Sequence, residues 1–275
     1  MIIENNLELF NKAFMESLSE LDTMGKPKYN FYIPSKARHD VIMTHTLLKN
    51  IGLSCSIIVE PNDEQKYKDA LPEENILVMD KNSMGIYYVR NWIKDYSRSL
   101  GEAYHWQLDD DIKSLKYIFK GTRYKIEDYK PFSFAEAVLD KTENIGMAGF
   151  IHSAFAFAST KEYSLNKQIC TCTIVKNDTP QRWRPDIIED TDYSLQLLYG
   201  GYCTMNINLF SYENPPAMKL KGGNFEDFQN QGFYKRQVKL SEEYPGYFTM
   251  VEKNGISRVR PSKIWSRFKN EPILK

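Results

Sequence analysis

The chain lacks the marks of a membrane or secreted protein. No apolar run approaches the about 20 residues that a bilayer-spanning helix needs. The N-terminus has no basic stretch leading into an apolar one, so no signal peptide is expected. Cysteine is scarce: Cys55, Cys170, Cys172 and Cys203 fit no common zinc spacing, and three of the four lie in strand-like runs. Buried, reduced thiols of a cytosolic protein are the expectation. An excess of either charge is also absent, with 36 Lys plus Arg against 36 Asp plus Glu. Bulk charge therefore announces no polyanion, and any basic surface must be local. Finally, there is neither a Gly-x-x-x-x-Gly-Lys-Ser/Thr segment nor a Gly-x-Gly-x-x-Gly after the first strand-like run. That argues against P-loop NTPases and dinucleotide dehydrogenases, so phosphate must be handled in another way.

What is present suits a sizeable folded core: 275 residues, 42% hydrophobic and 26% charged. A single domain over 1–275 is expected, with an N-terminal helix over 1–27, a first half over 28–125, a second over 126–240 and a basic extension over 241–275. Ile3, Leu7, Phe10, Phe14, Leu18 and Leu21 recur at helical spacing and predict a helix that docks on the main body. Beyond Gly25-Lys26-Pro27 the pattern alternates. Strands are predicted at 29–34, 55–59, 76–79 and 104–108, and helices at 38–51, 64–70 and 85–100. This is the rhythm of βαβ units, an α/β fold with a mainly parallel central sheet flanked by helices. Later segments predict a helix at 132–143 capped by Ser133, strands at 149–158, 169–175 and 202–210, and helices at 192–198 and 224–239.

Chemistry-bearing residues gather where such a sheet binds ligands, at the carboxyl ends of its strands. Asp109, Asp110 and Asp111 follow the apolar run Tyr104-His105-Trp106-Gln107-Leu108. Three like charges repel, and a hard divalent cation resolves the conflict while leaving room for phosphate oxygens; a solvated acidic turn is the plainer reading. Pro34, Ser35, Lys36 and Arg38 follow the first strand and suit a nucleotide's phosphates, or alternatively a helix start. Glu60 ends the second strand, as an acceptor for a base or ribose or simply as part of a turn. Arg90 and Asn91 ride the helix that leads into the triplet strand. Glu189, Asp190 and Asp192 open a helix, either as capping acids or with one of them taking a proton from an attacking hydroxyl. Lys221-Gly222-Gly223 is a basic glycine turn that suits a pyrophosphate equally well as a plain loop.

The order of these features resembles the GT-A (Rossmann-like) nucleotide-sugar glycosyltransferases, in which Asp109 to Asp111 is similar to the Asp-x-Asp metal motif. On that resemblance Asp109 faces the ribose and metal, Asp111 ligates Mn²⁺ or Mg²⁺, and the Glu189-Asp190 pair presents the catalytic base, with Asp190 the first choice and Asp192 the second. Ile33 to Arg38, the Gly85-to-Asn91 helix with Trp92, Leu108 to Ile112 and Glu189-Asp190-Thr191-Asp192-Tyr193 look like the TET-associated glycosyltransferases. These are phage and related enzymes that glycosylate hydroxymethylated pyrimidines in DNA. The resemblance covers about residues 28–240. The C-terminal His that many GT-A enzymes add as a metal ligand is missing, since His152 is the last His.

The resemblance implies a UDP-sugar donor, with arabinose and glucose both open, and 5-hydroxymethylcytosine in DNA as acceptor. It also implies a cytoplasmic place in an infected bacterial host. No membrane and no obligate protein partner is expected. A DNA substrate requires a local basic surface, and two are predicted: Arg258, Arg260 and Lys263 in the tail, with Trp265 and Phe268 interleaved, and Arg182-Trp183-Arg184 beside the base. Two alternatives remain, a GT-A enzyme acting on a saccharide or protein, and an inactive nucleic-acid-binding module on the same scaffold.

Overall fold

A computed structural model describes residues 5–157, 161–216, 222–223, 232–253, 256–261 and 263–275, with the side chains of 253 and 256–258 left aside. Helix α1 (Asn6–Ser19) starts from a capping box: the Asn5 side chain accepts from the Glu8 amide at 2.9 Å, and the Glu8 carboxylate accepts from the Asn5 amide at 3.4 Å. The expected docking is observed. Phe10 and Phe14 are buried against Tyr163, and Phe14 meets the edge of Phe134 on α5 (Lys130–Asp140) at 5.1 Å.

The alternation that follows builds β1 (Phe31–Pro34), α2 (Met43–Asn50), β2 (Ser56–Val59), α3 (Glu64–Ala70), β3 (Asn75–Val78), α4 (Ile86–Ser99) and β4 (Tyr104–Leu108). β3, β2, β1 and β4 lie side by side and all parallel. β4 is buried at every position, as a central strand covered on both faces must be. Trp106 stacks on Phe31 at 5.6 Å, and Phe132 meets both rings edge-on, which gives the middle of the sheet an aromatic core.

The second half is more mixed than its sequence pattern suggested. β5 (Ser114–Phe119) and β6 (Thr122–Lys125) form a hairpin through Lys120 and Gly121, both at positive φ. β7 (Ile145–His152), β8 (Tyr163–Leu165), β9 (Cys172–Lys176), α6 (Glu189–Tyr199) and β10 (Cys203–Glu213) follow. The full order is β3-β2-β1-β4-β9-β7-β10-β5-β6, with β8 on β10. β7 and β10 run parallel to each other, while β9 runs antiparallel between β4 and β7. A large, mostly parallel α/β sheet results. Gly149 on β7 permits the close approach of β9: a Cβ there would lie 2.4 Å from the Cys172 carbonyl oxygen.

Several boundaries correct the sequence reading. Ser133 is not a cap but the fourth residue of α5, and its hydroxyl donates to the Gly25 carbonyl at 2.7 Å. Pro131 sits in the first turn instead, where its missing N–H costs nothing. The 149–158 strand begins earlier, at Ile145, because Ile145 to Met147 pair with β10. The expected helix at 224–239 lies partly outside the described residues; α7 runs Gly232–Glu243. The C-terminal tail folds back as a hairpin, β11 (Phe248–Lys253) and β12 (Ile256–Pro261). Ile264, Trp265 and Phe268 then pack against Ile187, Leu195, Leu240 and Tyr244. Among the described residues no helix is long and apolar enough to cross a membrane.

Candidate active site

Because β1, β2, β4, β7 and β10 point the same way, their following residues share one edge of the sheet. Ser35 follows β1, Glu60 follows β2, Asp109 to Asp111 follow β4, and Asn214 follows β10. The triplet's backbone is pinned by the first turn of α2. The Thr44 hydroxyl donates to the Asp109 carbonyl and accepts from the Ile112 amide at 2.8 Å, and the Thr44 amide donates to the Asp110 carbonyl at 3.3 Å. The Asp109 amide donates across to the Thr171 carbonyl at 2.9 Å. Held so, the three carboxylates fan into three different environments.

Asp110 points into the body and is 5% exposed. One oxygen accepts from the Arg38 guanidinium and the other from the Ser35 hydroxyl at 2.6 Å. Ser35 also meets the Tyr67 hydroxyl at 2.8 Å, and that hydroxyl accepts from the Arg38 amide at 3.0 Å. In the structure Asp110 and Ser35 lock the loop after β1, with both Asp110 oxygens bonded. Pro34 is buried at the end of β1. Lys36 reaches Glu60, itself 7% exposed, at 3.1 Å, and the Asp63 carboxylate accepts from the Ala37 amide at 3.1 Å.

Gly222 and Gly223 come to this same loop. The Gly223 amide donates to the Lys36 carbonyl at 3.0 Å, and Arg38 donates to the Gly222 carbonyl at 3.4 Å. Gly222 has φ +82°, and a Cβ on it would lie 2.8 Å from the Lys36 and Ala37 carbonyl oxygens, so only glycine closes here. Lys221 lies outside the described residues.

Asp111 and Asp109 are open to solvent at this edge, with side chains 25% and 32% exposed. Asp111 accepts from the Asn214 side-chain amide at 2.9 Å and lies 3.9 Å from Arg38. Burial, together with the charges of Asp109 and Asp110, pushes its carboxyl up to about 6. Asn214 Oδ1 is buried and has no hydrogen-bond partner among the described residues. Asp109 accepts from Arg90 at 3.1 Å, and Arg90 also lies 3.4 Å from Asp190. Arg90 is 2% exposed and is backed by Gln107, whose amide oxygen lies 3.4 Å from it. It ties two carboxylates together. Burial pushes Asp190 up to about 8; Arg90 opposes that rise, while Glu189 and Asp109 add to it. Glu189 and Asp190 occupy the first turn of α6. The side chains that are open to solvent here and could hold a cation are therefore Asp109 and Asp111, with Asn214 alongside.

A family model for the TET-associated glycosyltransferases matches residues 29–223, more than half of the 275. The chain belongs to that family. No curated protein matches it. The match runs from the residues ahead of β1 to the Gly222-Gly223 turn, and so spans this chain's acidic edge. It leaves out α1, α7 and the β11–β12 hairpin.

The other expected site residues of this glycosyltransferase have varied surroundings. Asp192 is fully buried and accepts from Arg184 at 2.9 Å, Tyr244 at 2.8 Å and Gln196 at 2.7 Å, so it is no rival to Asp190 as a base. Arg184 spends its remaining reach on Glu243 at 2.6 Å. Trp183 is 3% exposed and stacks on Tyr193 at 3.8 Å, leaving no ring face for a base. Asn91 brackets the Trp183 backbone, donating at 2.8 Å and accepting at 3.0 Å, and thereby sets the loop ahead of α6. Arg182 pairs with the exposed Asp95 at 2.6 Å. Arg260 and Lys263 are exposed, while the side chain of Arg258 lies outside the described residues. Sequence reasoning missed Thr44, Tyr67, Gln107 and Asn214. Of these only Asn214, ahead of Pro215-Pro216 at a strand end, had a local signal as an edge residue.

Proposed function

We propose that this protein is a metal-dependent GT-A glycosyltransferase that moves a sugar from a UDP-sugar to the hydroxyl of 5-hydroxymethylcytosine in DNA, in the cytoplasm of an infected bacterium. The single observation that carries the reading is Arg90, buried and bridging Asp109 to Asp190. It holds a carboxylate of the donor side and a proton acceptor a few ångströms apart at one sheet edge, which is the juxtaposition that glycosyl transfer needs. Membership of a glycosyltransferase family supports the reaction class, and the family's name and modified-base setting support DNA as acceptor.

The acidic edge suits Mn²⁺ or Mg²⁺. Asp109 and Asp111 would hold the ion, Asn214 Oδ1 beside them is a buried acceptor with no partner among the described residues, and Asp111 is held above the usual carboxylate range by burial and its neighbours' charge. Among the described residues no three His, Cys, Asp or Glu side chains gather to ligate an ion, so diphosphate and water oxygens would have to supply its other ligands. When bound, the metal supplies positive charge for the leaving diphosphate. Lys36 and the Gly222-Gly223 backbone would border that diphosphate.

Asp190 accepts the proton of the hydroxymethyl group as its oxygen attacks the anomeric carbon. The bond from that carbon to the diphosphate oxygen breaks, and UDP leaves. Arg90 opposes the rise that burial imposes on the Asp190 carboxyl and holds its side chain in place. Arabinose and glucose both remain open as the sugar. The test is mass spectrometry of nucleosides from hydroxymethylated DNA after reaction with a panel of UDP-sugars, with Mn²⁺ or with chelator. A glycosylated hydroxymethylcytosine that requires the metal is expected. No sugar on DNA alongside transfer to a glycan would sink the reading.

A further inference from the structure

We propose that the β5–β6 hairpin is the arm that grips the DNA phosphate backbone; this rests on the DNA reading of the site above. Between Ile112 and Ile126 the chain carries Lys113, Lys116, Lys120, Arg123 and Lys125 and no acidic residue, in a protein of zero net charge. The hairpin concentrates these cations. Its register sets Lys116 directly opposite Lys125, on the face that also carries Arg123. Like charges opposite one another destabilise a ladder, and a polyanion relieves the repulsion.

The protein's own acids offset only part of this charge. Lys113 and Lys116 share Glu213, at 4.0 and 2.6 Å, and Lys125 reaches an exposed Glu127 at 2.8 Å. Lys120 lies over the ring of Phe119 at 5.3 Å. Arg123 donates to the carbonyls of Ser153 and Ala156 at 2.7 and 2.9 Å, which fix its position without neutralising it.

The other face of the hairpin is aromatic and wet. Tyr117 stacks on Tyr124 at 4.9 Å, and the two are 40% and 43% exposed. Phe119 is 55% exposed, and Phe155, in the loop that Arg123 holds, is 66% exposed. A cationic face backed by a face of exposed rings suits a nucleic acid, whose bases stack and whose phosphates pair with Lys and Arg.

The hairpin is also in the right place. It starts three residues after Asp111, and its first strand pairs with the end of β10 next to Asn214. At about 3.3 Å per residue, Phe119 lies roughly 17 Å along the strand from Ser114, about five nucleotides at the roughly 3.4 Å spacing of one DNA strand. A groove of about 820 Å³ lies between the start of α2 and the base of the hairpin, lined by Val41, Met43, Lys113, Leu115 and Lys125 among others.

The test is fluorescence anisotropy of the full chain on an unmodified duplex across a salt series, so that binding is read apart from chemistry. Each phosphate that the protein no longer neutralises lowers the slope of log K against log salt by about 0.9. A Lys120→Gln/Arg123→Gln/Lys125→Gln variant is expected to flatten the slope by about 2–3, and more than an Arg260→Gln/Lys263→Gln variant does. Since Arg123 also holds the 153–156 loop, Lys120→Gln alone, at the exposed turn, is the second variant, with an expected flattening of about 1. Unchanged slopes in both hairpin variants, or a parent chain that binds no duplex, overturn the proposal. Unchanged slopes together with sugar transfer to hydroxymethylated DNA remove the arm but keep the reaction. Hairpin-dependent binding without any sugar transfer to DNA removes the reaction but keeps the arm.

Discussion

Replacing Arg90 by methionine removes the cation between Asp109 and Asp190 while filling much of its space. Breaking a fully buried ion pair costs about 3–5 kcal/mol, because the partner is left charged and unpaired. Arg90 is 2% exposed, but the side chains of Asp109 and Asp190 are 32% and 22% exposed, so water screens them. A cost below that range, about 2–3 kcal/mol, is expected. For a chain of this size that corresponds to a fall in Tm of roughly 5–10 °C. The destabilisation has a pH signature. Asp190 is raised from its ordinary 3.8 to about 8, mainly by burial, so the folded state keeps a proton that the unfolded state has released. Its contribution to stability is full below the ordinary value and is lost as pH rises through the folded one. Without Arg90 the folded value moves higher still, so the variant's deficit widens as the pH passes about 8. The assay is thermal unfolding by circular dichroism across that pH range in chelator, repeated with Mn²⁺. Added Mn²⁺ is expected to recover part of the stability, because a divalent cation between Asp109 and Asp111 supplies the missing positive charge. A variant that melts with the parent at every pH refutes the bridging role.

Asp190→Asn is expected to lower kcat by about 10²–10⁴ with little change in KM for the donor, since it removes a proton acceptor and not a binding contact; undiminished turnover would demote Asp190 to positioning. The base acts only when ionised, and its carboxyl is raised to about 8. Activity of the parent should therefore fall as pH drops below that value, in steady-state rates at saturating metal, and a flat profile would exclude Asp190 as the base. Trp183→Ala opens a cavity beside Tyr193 and should cost about 3–5 kcal/mol by denaturant unfolding, while leaving the salt dependence of DNA binding unaltered. A flattened salt slope in that variant would return Trp183 to the DNA surface.

The acidic edge was legible because its signals are local. Four apolar runs alternating with helical periodicity imply parallel strands, parallel strands share a carboxyl edge, and Asp109 to Asp111 end one of those strands. Ser35 and Glu60 were placed at that edge for the same reason. Their individual roles were not legible, because side-chain partners come from distant segments. Nothing near Asp110 shows that Arg38 and Ser35 will take both of its oxygens. Nothing near Trp183 shows that Tyr193 covers one face and burial the rest. The β5–β6 hairpin had a local signal, Lys120-Gly121 between two alternating runs, which the triplet's proximity overshadowed.

The sequence by itself determined the α/β class, the strand whose end carries the Asp triplet, and the family to which the chain belongs. These depend on periodicity and on short runs of residues, which survive without coordinates. The tertiary structure decided which carboxylates are open to solvent and which are buried in ion pairs. It also decided that Asp190 and not Asp192 stands next to Arg90, and that the concentrated positive charge lies on a hairpin flanking the triplet. Those outcomes depend on burial and on contacts between segments up to about a hundred residues apart, such as Arg90 with Asp190 and Asp111 with Asn214. A one-dimensional pattern does not encode such pairings; only the packed sheet and its covering helices bring them together.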